Sequence, residues 1–211
     1  MKHKARKKKS KFITIEGLEG SGKSSIINFL ARCLRKCGYT VKIFREPGST
    51  RIGEKIRKIL LDKRNKKLSP HTELLLYLAA RTQLIEEKLK KDFKNYDVII
   101  CDRFFDSTIV YQGIALGLGK LAEEAAKTFS LGIEPHLTIL LDAPIERGLA
   151  RIKSKDRIEA RPLGFHRSLR KGYLQLAKRY PRRIKIVDAS RSLRDVCRAV
   201  EALVDKFIRA R

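Results

Sequence analysis

One glycine-rich segment near the beginning of the chain limits the possible folds more than any other feature. Residues 17–24 read Gly-Leu-Glu-Gly-Ser-Gly-Lys-Ser and fit the pattern G-x-x-x-x-G-K-[ST]. An apolar run of strand length, residues 12–16, precedes the segment, and a stretch with helical period, residues 24–36, follows it. The order of strand, glycine-rich turn and helix predicts a phosphate-binding loop.

The residue types in this loop suit a polyphosphate. Such a ligand needs a ring of backbone N–H donors, and glycine lets the backbone approach it closely. The helix that starts near Lys23 adds the positive end of its dipole. We expect Lys23 to reach the β- and γ-phosphates of ATP and the Ser24 hydroxyl to coordinate Mg²⁺. The predicted ATP-binding residues are Gly17, Leu18, Glu19, Gly20, Ser21, Gly22, Lys23, Ser24 and Ser25.

Apolar runs of strand length alternate with longer amphipathic segments along the rest of the chain. This alternation predicts an α/β domain, in which a five-stranded parallel sheet carries helices on both faces. The predicted strands are residues 12–16, 39–44, 98–102, 137–142 and 184–188. The predicted helices are residues 24–36, 51–61, 70–93, 107–114, 121–131, 145–152, 165–180 and 193–209. Together with the loop, they predict a three-layer P-loop NTPase fold over residues 12–211.

The chain is unusually basic, with 49 Lys and Arg residues against 23 Asp and Glu residues and a formal net charge of +26. Nucleic-acid binding is one explanation for this charge. The other is a generally basic surface together with polyanionic substrates, and the spread of basic residues over every predicted helix favours it. Residues 1–11 are predicted to form a disordered basic arm that could contact RNA or membrane phosphates without specificity.

Composition also bears on the compartment. No apolar stretch approaches the roughly 20 residues that a membrane span needs, and the basic N-terminus leads into a strand rather than the apolar region of a signal peptide. The four cysteines are scattered and form no CxxC pair for zinc or redox chemistry. We therefore expect a cytoplasmic protein that does not associate with membranes.

The carboxyl ends of two predicted strands offer Asp102 and Asp142 as candidate metal ligands, at the sheet edge where ligands of open α/β sheets bind. Asp102 ends one strand and is followed by Arg103, and Asp142 ends another. A carboxylate in this position can hold Mg²⁺ directly or through water, and a guanidinium suits a phosphate. Position alone does not decide between the two aspartates.

Three further segments contain candidate residues. Residues 45–50 form a turn that brings Arg45 to the same sheet edge. Tyr77 and Arg81 are four residues apart on a predicted helix, so they share a face that could contact a base. The basic residues 151–157 lie between two predicted helices, and a basic loop of this kind can close over a transferring phosphoryl group.

These motifs resemble those of thymidylate kinase, a family of enzymes that phosphorylate dTMP to dTDP. The resemblance covers the chain from residue 12 to about residue 207. It rests on five stretches in order, which are FITIEGLEGSGKS from Phe12, REPGST from Arg45, YLAAR from Tyr77, DRFFDSTIVYQG from Asp102 and DRIE from Asp156. It implies a nucleoside monophosphate kinase domain that uses Mg-ATP and dTMP in dTTP biosynthesis, and a homodimer.

The resemblance also implies a role for each matching residue. Tyr77 takes the place of the aromatic residue that stacks on thymine, while Arg81 and Thr108 would contact the polar edge of the base. Tyr111 is similar to the tyrosine that favours deoxyribose by crowding the 2′ position, and Gln112 belongs to the same wall. The implied substrate-binding residues are Glu19, Arg45, Tyr77, Arg81, Arg103, Thr108, Tyr111 and Gln112, and the implied metal-binding residues are Ser24 and Asp102.

The loop interior, residues 18–21, contains no basic residue. In this respect the chain resembles the thymidylate kinases that supply a catalytic arginine from a short lid, here about residues 151–160. Arg151 is the implied cation, with Lys153, Lys155 and Arg157 as alternatives. The implied catalytic residues are Lys23, Arg103 and Arg151, and they would act by direct in-line transfer without a covalent intermediate.

Other functions fit parts of the pattern. A kinase for a different nucleoside monophosphate would share most of these motifs. A nucleic-acid-binding ATPase would explain the charge, but the chain contains no zinc finger or RNP stretch. A regulatory protein that binds nucleotides without turnover would not need the full set of phosphate-handling residues.

Overall fold

The computed structural model describes residues 10–152 and 154–209. Within these residues the strands form one parallel sheet with the order β2-β3-β1-β4-β5, so that β1 is central. The strands are β1 (Lys11–Gly17), β2 (Val41–Arg45), β3 (Val98–Asp102), β4 (Leu137–Asp142) and β5 (Ile184–Asp188). Because the strands are parallel, their carboxyl ends meet at one edge of the sheet, where ligands of such folds bind.

Helices cover both faces of this sheet. The α-helices are α1 (Lys23–Lys36), α2 (Arg51–Leu61), α3 (Pro70–Leu84), α4 (Lys90–Asp92), α5 (Phe105–Thr108), α6 (Gly119–Thr128), α7 (Ile145–Ala150), α8 (Leu163–Arg179) and α9 (Leu193–Arg209). A π-helical segment, Ile85–Leu89, joins α3 to α4, and a second, Ile109–Ala115, continues α5.

Side-chain alternation along the central strand produces two separate cores. Ile13 and Ile15 point into the layer that contains α1 and α9, whereas Phe12 points into the layer that contains Phe104 and Tyr173. All of these residues are buried, as expected for a parallel strand covered on both faces. The predicted three-layer α/β fold with a five-stranded parallel sheet is therefore confirmed.

The predicted N-terminal arm, residues 1–11, overlaps the first strand. Lys11 already belongs to β1, where it pairs with Val98 and its backbone N–H donates to the Asp97 carbonyl at 2.9 Å. Ser10 is buried. Residues 1–9 lie outside the described residues, so the arm stays a prediction for them. The first two positions of the predicted second strand also lie outside β2, which begins at Val41.

Two predicted helices differ from the structure in their winding. The predicted helix 70–93 contains the segment Ile85–Leu89, and the predicted helix 107–114 changes into the segment Ile109–Ala115. A π-helical turn holds one more residue than an α-helical turn and is frequent at functional sites. Apolar spacing over so few residues does not reveal it. Among the described residues, no helix has the length and apolar character needed to cross a membrane.

Candidate active site

The glycine-rich loop packs tightly against α7. Gly20 and Gly22 have φ angles of 71° and 94°, a region that side chains rarely adopt. A Cβ atom on Gly20 would lie 2.1 Å from the carbonyl oxygen of Gly148 in α7, so this contact requires glycine. Helix α1 begins at Lys23, directly after Gly22, and its free N–H groups face the loop. The loop therefore has the backbone geometry of an anion site.

The Lys23 ammonium is folded back onto the loop. Its Nζ atom donates hydrogen bonds to the carbonyl oxygens of Gly17 at 3.1 Å and Leu18 at 2.8 Å. Burial lowers the pKa of Lys23 to about 8, and the nearby Arg103 cation lowers it as well. A phosphate in the loop would place opposite charge beside the ammonium and favour its protonated form.

Of the other loop residues, Leu18 and Ser21 are buried, whereas Ser24 and Ser25 are exposed at the start of α1. Ser24 lines a cleft at the carboxyl edge of the sheet, called the central cleft below. The predicted site residues that line this cleft are Glu19, Gly20, Lys23, Ser24, Arg45, Tyr77, Asp102, Arg103, Thr108, Tyr111 and Gln112.

The two strand-end aspartates differ in their partners. Asp102 lines the central cleft, and its Oδ1 atom is buried without a hydrogen-bond partner. Asp142 instead accepts two hydrogen bonds from Arg170 of α8, Nε to Oδ1 at 2.6 Å and Nη2 to Oδ2 at 2.8 Å. The choice between the two aspartates as the metal ligand is thereby narrowed, because Asp102 lines the cleft, whereas Arg170 occupies both carboxylate oxygens of Asp142.

A magnesium ion fits this arrangement. Among the described residues, no group of three or more His, Cys, Asp or Glu side chains could hold a metal. Mg²⁺, however, is usually held by one or two protein ligands together with substrate phosphates and water. Asp102, whose buried Oδ1 atom has no hydrogen-bond partner, and the exposed residue Ser24 both line the central cleft and suit that mode of binding.

Arg103 is held in place by side chains from three elements. Its φ angle of 69° is unusual for a residue with a side chain. Its Nη2 atom donates to Glu19 Oε1 at 3.0 Å, and its Nη1 atom donates to Tyr173 at 3.0 Å and Ser107 at 3.2 Å. Burial by itself would raise the pKa of Glu19, but Arg103, Lys23 and a hydrogen bond from Tyr111 lower it overall. Glu19 therefore stays a carboxylate at neutral pH.

Glu16 holds in place the side chains that contact Arg103. Its carboxylate is fully buried and accepts hydrogen bonds from the Phe104 backbone at 2.8 Å, Ser107 at 2.7 Å and Tyr173 at 2.8 Å. The Phe104 bond fixes the turn that follows β3, and that turn presents Asp102 and Arg103 to the cleft. Burial raises the pKa of Glu16, while Arg103 opposes the rise.

Arg81 lies beneath the wall of the cleft rather than on its surface. The side chain is only 1% exposed, and its Nε atom lies 2.6 Å from Glu46 Oε1. Its Nη2 atom donates to Thr108 Oγ1 at 2.7 Å, so Arg81 positions a residue that does line the cleft. Burial raises the pKa of Glu46 to about 7, although Arg81 acts to lower it. Direct contact between Arg81 and a base stays a prediction.

The lid candidates occupy different places. Arg151 is exposed, and its Nη1 atom donates to the Gly20 carbonyl oxygen at 3.1 Å, so it lies against the loop. Arg157 is buried and donates to Leu60 O at 2.7 Å and to Glu73 Oε2 at 2.6 Å. Lys155 is exposed. The fourth candidate, Lys153, lies outside the described residues.

Comparisons with known proteins identify the family of this chain. Residues 15–200 match the family described as thymidylate kinase. The thymidylate kinase of Thermoanaerobacter sp. (strain X514) is 41% identical over an alignment of 206 residues that covers 95% of this chain and 100% of that protein. The thymidylate kinase of Syntrophotalea carbinolica is 43% identical over 199 residues, covering 90% of this chain and 92% of that protein.

This chain belongs to the thymidylate kinase family. The crystal structure of thymidylate kinase from Ehrlichia chaffeensis superimposes with a TM-score of 0.75 at 28% identity, covering 93% of this chain and 98% of that one. Membership confirms the predicted family, the P-loop fold and the enzyme class, a phosphotransferase of nucleotide biosynthesis. ATP-dependent phosphoryl transfer follows from the family as well.

Sequence reasoning missed several residues of this thymidylate kinase site. Glu46 and Arg57 line the central cleft, and Tyr173 supports Arg103 from α8. Glu73 binds lid residues from α3. A charged residue directly before an apolar run of a predicted helix, as at Glu73 before Leu74 to Leu76, was the available signal, because a buried charge usually has a partner.

Proposed function

We propose that this chain transfers the γ-phosphoryl group of Mg-ATP to the phosphate of dTMP by direct in-line displacement. The observation that carries the proposal is the central cleft, which joins the loop residues Lys23 and Ser24 to the strand-end pair Asp102 and Arg103. The acceptor is already an anion, so no general base is needed, and catalysis consists of positioning and charge neutralisation.

The donor side of the cleft would bind the triphosphate of ATP. The loop backbone and the N-terminus of α1 would donate hydrogen bonds to phosphate oxygens. Lys23 would leave the carbonyl oxygens of Gly17 and Leu18 and move to the β- and γ-phosphates. Ser24 and Asp102 would hold Mg²⁺, which when bound neutralises charge on these phosphates.

The acceptor side would bind dTMP. Arg45 and Arg103 line the cleft and would hold the acceptor phosphate, while Glu19 would face its sugar. Tyr77 is half-buried on the same wall and would stack on the base. The Thr108 hydroxyl, fixed by Arg81, would face the polar edge of thymine. Tyr111 and Gln112 would close the wall beside the 2′ position and so favour deoxyribose.

Arg151 would supply the lid cation. It already touches the loop at Gly20, whereas Arg157 is committed to Glu73 and Leu60. The guanidinium would stabilise the charge that develops on the transferring group. Its contact with Gly20 supports this role over that of Arg157.

The test is an ATP-to-ADP coupled assay with Mg²⁺ across dTMP, dUMP, UMP, CMP, AMP and GMP. We expect the highest kcat/KM with dTMP and no turnover without an acceptor. The same assay with RNA or single-stranded DNA in place of a mononucleotide covers the alternative of a nucleic-acid-stimulated ATPase. Turnover with a ribonucleotide alone, or ATP hydrolysis stimulated by nucleic acid, would overturn the proposal.

A homodimer is a further part of the proposal. Large apolar side chains are exposed on three helices that contact one another in sequence, α2 to α3 and α3 to α6. They are Ile52 and Ile59 on α2, Leu75 on α3, Leu121 on α6, and Phe129 directly after α6. Leu75 is 63% exposed, and exposed apolar side chains on neighbouring helices support an interface with a second copy of the chain. We expect a dimer by light scattering and a monomer for Leu75→Glu; a wild-type monomer would contradict this part.

A cytoplasmic location belongs to the same proposal. Its support is that the four cysteines, Cys33, Cys37, Cys101 and Cys197, are all free. Free thiols are usual in a reducing compartment. Fractionation of cells that express the chain would test it, and recovery outside the cytoplasm would contradict it.

A further inference from the structure

Glu73 lies at the junction between the lid and the acceptor wall. It sits in the first turn of α3 and is fully buried. A buried carboxylate is costly unless charged or polar partners surround it. Here the partners come from two parts of the molecule that the proposed reaction brings together.

The two oxygens of this carboxylate serve different partners. Oε2 accepts from Arg157 Nη2 at 2.6 Å and from Arg161 Nη2 at 2.6 Å, both in the segment between α7 and α8 that contains the predicted lid. Oε1 accepts from Gln112 Nε2 at 2.9 Å, and Gln112 lines the central cleft. One side chain therefore connects the lid directly to the wall.

A second path links the same two parts. The Arg161 guanidinium lies over the Phe165 ring, with its Cζ atom 4.4 Å from the ring centroid. Phe165 in turn packs edge-to-face on Tyr111, with centroids 6.2 Å apart. Of the two residues proposed to flank the sugar, Gln112 therefore contacts Glu73 directly, and Tyr111 is connected to it through Phe165 and Arg161.

The two lid arginines are not held equally. Arg157 also donates to Leu60 O at 2.7 Å, whereas Arg161 Nη1 is buried without a hydrogen-bond partner. Two guanidinium groups share a single carboxylate, so any displacement of Glu73 exposes them to mutual repulsion. The geometry makes the position of the lid sensitive to the position of Glu73.

We propose that Glu73 is a positioning residue that couples the lid to the acceptor wall. When dTMP engages Gln112, the carboxylate is fixed through Oε1, and Oε2 then holds Arg157 and Arg161 with the lid near the loop. The inference rests on the proposed function, because it assigns Gln112 to the acceptor site. A purely structural ion pair would stabilise the fold but would not transmit acceptor binding.

The chain contains no tryptophan, which permits a single-tryptophan reporter of the lid. Ala160→Trp places the reporter at an exposed position next to Arg161. We expect dTMP, without ATP, to reduce acrylamide quenching of this tryptophan. In the Ala160→Trp, Glu73→Gln protein we expect saturating dTMP to leave the quenching unchanged and the KM for dTMP to rise about tenfold, within the usual range of coupling between sites.

Glu123→Gln is the matched control. Glu123 on α6 also pairs with two cations, Lys127 at 2.8 Å and Arg179 at 2.9 Å, but it lies outside the central cleft. We expect dTMP to reduce quenching in this background as in the parent reporter. If Glu73→Gln does not fold, Gln112→Met tests the same link, because it removes the hydrogen bond to Glu73 and keeps the ion pairs of Glu73 with Arg157 and Arg161. This variant should also abolish the effect of dTMP on quenching.

The outcomes separate this inference from the proposed function. If the reporter protein turns over dTMP but dTMP reduces quenching equally in the Glu73→Gln and parent proteins, the coupling is wrong. It is also wrong if a reporter protein that turns over dTMP shows no response at all, or if Glu123→Gln abolishes the response too. Absence of dTMP turnover in the wild-type assay would instead refute the proposed function.

Discussion

The two acidic strand ends beside the central strand look alike in sequence and differ in the structure. Asp102 ends β3 and Asp142 ends β4, and both strands pair with β1. Asp102 lines the central cleft and its Oδ1 atom has no hydrogen-bond partner, whereas both carboxylate oxygens of Asp142 accept hydrogen bonds from Arg170. A position at the sheet edge is thus not sufficient for a metal ligand, because a neighbouring helix decides whether the carboxylate stays available.

The comparison extends to the two halves of the sheet edge. On the side of β2 and β3, Arg45 and Arg103 line an open cleft beside Asp102. On the side of β4 and β5, Asp142 and Asp188 occupy the same register position at the ends of their strands. Each carboxylate forms a salt bridge with an arginine, Asp142 with Arg170 and Asp188 with Arg191. We therefore expect substitutions on the first side to act on turnover and those on the second to act on stability.

The largest effect is expected for Lys23→Ala. Removal of the ammonium that would reach the β- and γ-phosphates should lower kcat by about 10²-fold or more, as for other groups that stabilise a transition-state charge. The coupled assay at saturating ATP and dTMP measures it. Thermal melting should show that the variant is folded, and near-normal turnover would refute the assignment of the donor site.

The next effect concerns the lid. Arg151→Ala should lower kcat by about 10²-fold, because the guanidinium would act on the transition state, and should change the KM for dTMP by less than about threefold. Steady-state kinetics in both substrates separate the two effects. An unchanged kcat would transfer the role to Lys153 or Lys155, since Arg157 is occupied by Glu73.

A smaller effect is expected with pH. Burial and Arg103 lower the pKa of Lys23 to about 8, so the free enzyme loses this ammonium charge as the pH rises through that value. The kcat/KM for ATP should then fall about tenfold per pH unit above 8, while kcat should fall only at higher pH, because bound phosphates favour the charged form. A kcat/KM that is constant up to pH 9.5 would contradict this explanation.

The smallest effect is expected for Asp142→Asn, on the side of β4 and β5. Asp142→Asn weakens a pair in which Arg170 is 42% exposed, so solvent screening limits the cost to about 1 kcal/mol or less. The melting temperature should fall by about 1–3 °C, as usual for a domain of this size. Calorimetry measures the shift, and turnover should stay near the wild-type value. A loss of turnover beyond about tenfold would place Asp142 in the site after all.

Features of the fold that depend on residues close together in the sequence could be predicted from the sequence. The strands β3, β4 and β5 were predicted with their observed ends. Strands β3 and β4 are buried on both faces and read as nearly continuous apolar runs, whereas β5 lies at the sheet edge and is only partly buried. The loop was predicted because its residues are adjacent in sequence. The π-helical segment Ile109–Ala115 was not, because apolar spacing over so few residues does not distinguish a π-helical turn from an α-helical one.

Long-range pairing accounts for what the sequence could not show in the site. Arg81 is a base-contacting candidate by helical spacing, yet it is buried against Glu46, which is distant in sequence. Glu73 meets Gln112, Arg157 and Arg161 only after the chain has folded. Asp142, at the end of β4, likewise meets its partner Arg170 of helix α8 only in the folded chain. Such partners decide which charged residues remain free for a ligand.

The most direct test of this account is the Mg²⁺ dependence of turnover in Asp102→Asn and Asp142→Asn. At saturating dTMP and fixed ATP, we expect the Mg²⁺ concentration for half-maximal rate to rise at least about tenfold in Asp102→Asn, as when a carboxylate near a metal is lost. It should stay unchanged in Asp142→Asn. An equal shift in both variants, or a shift in Asp142→Asn alone, would contradict the assignment of the open strand end as the metal site.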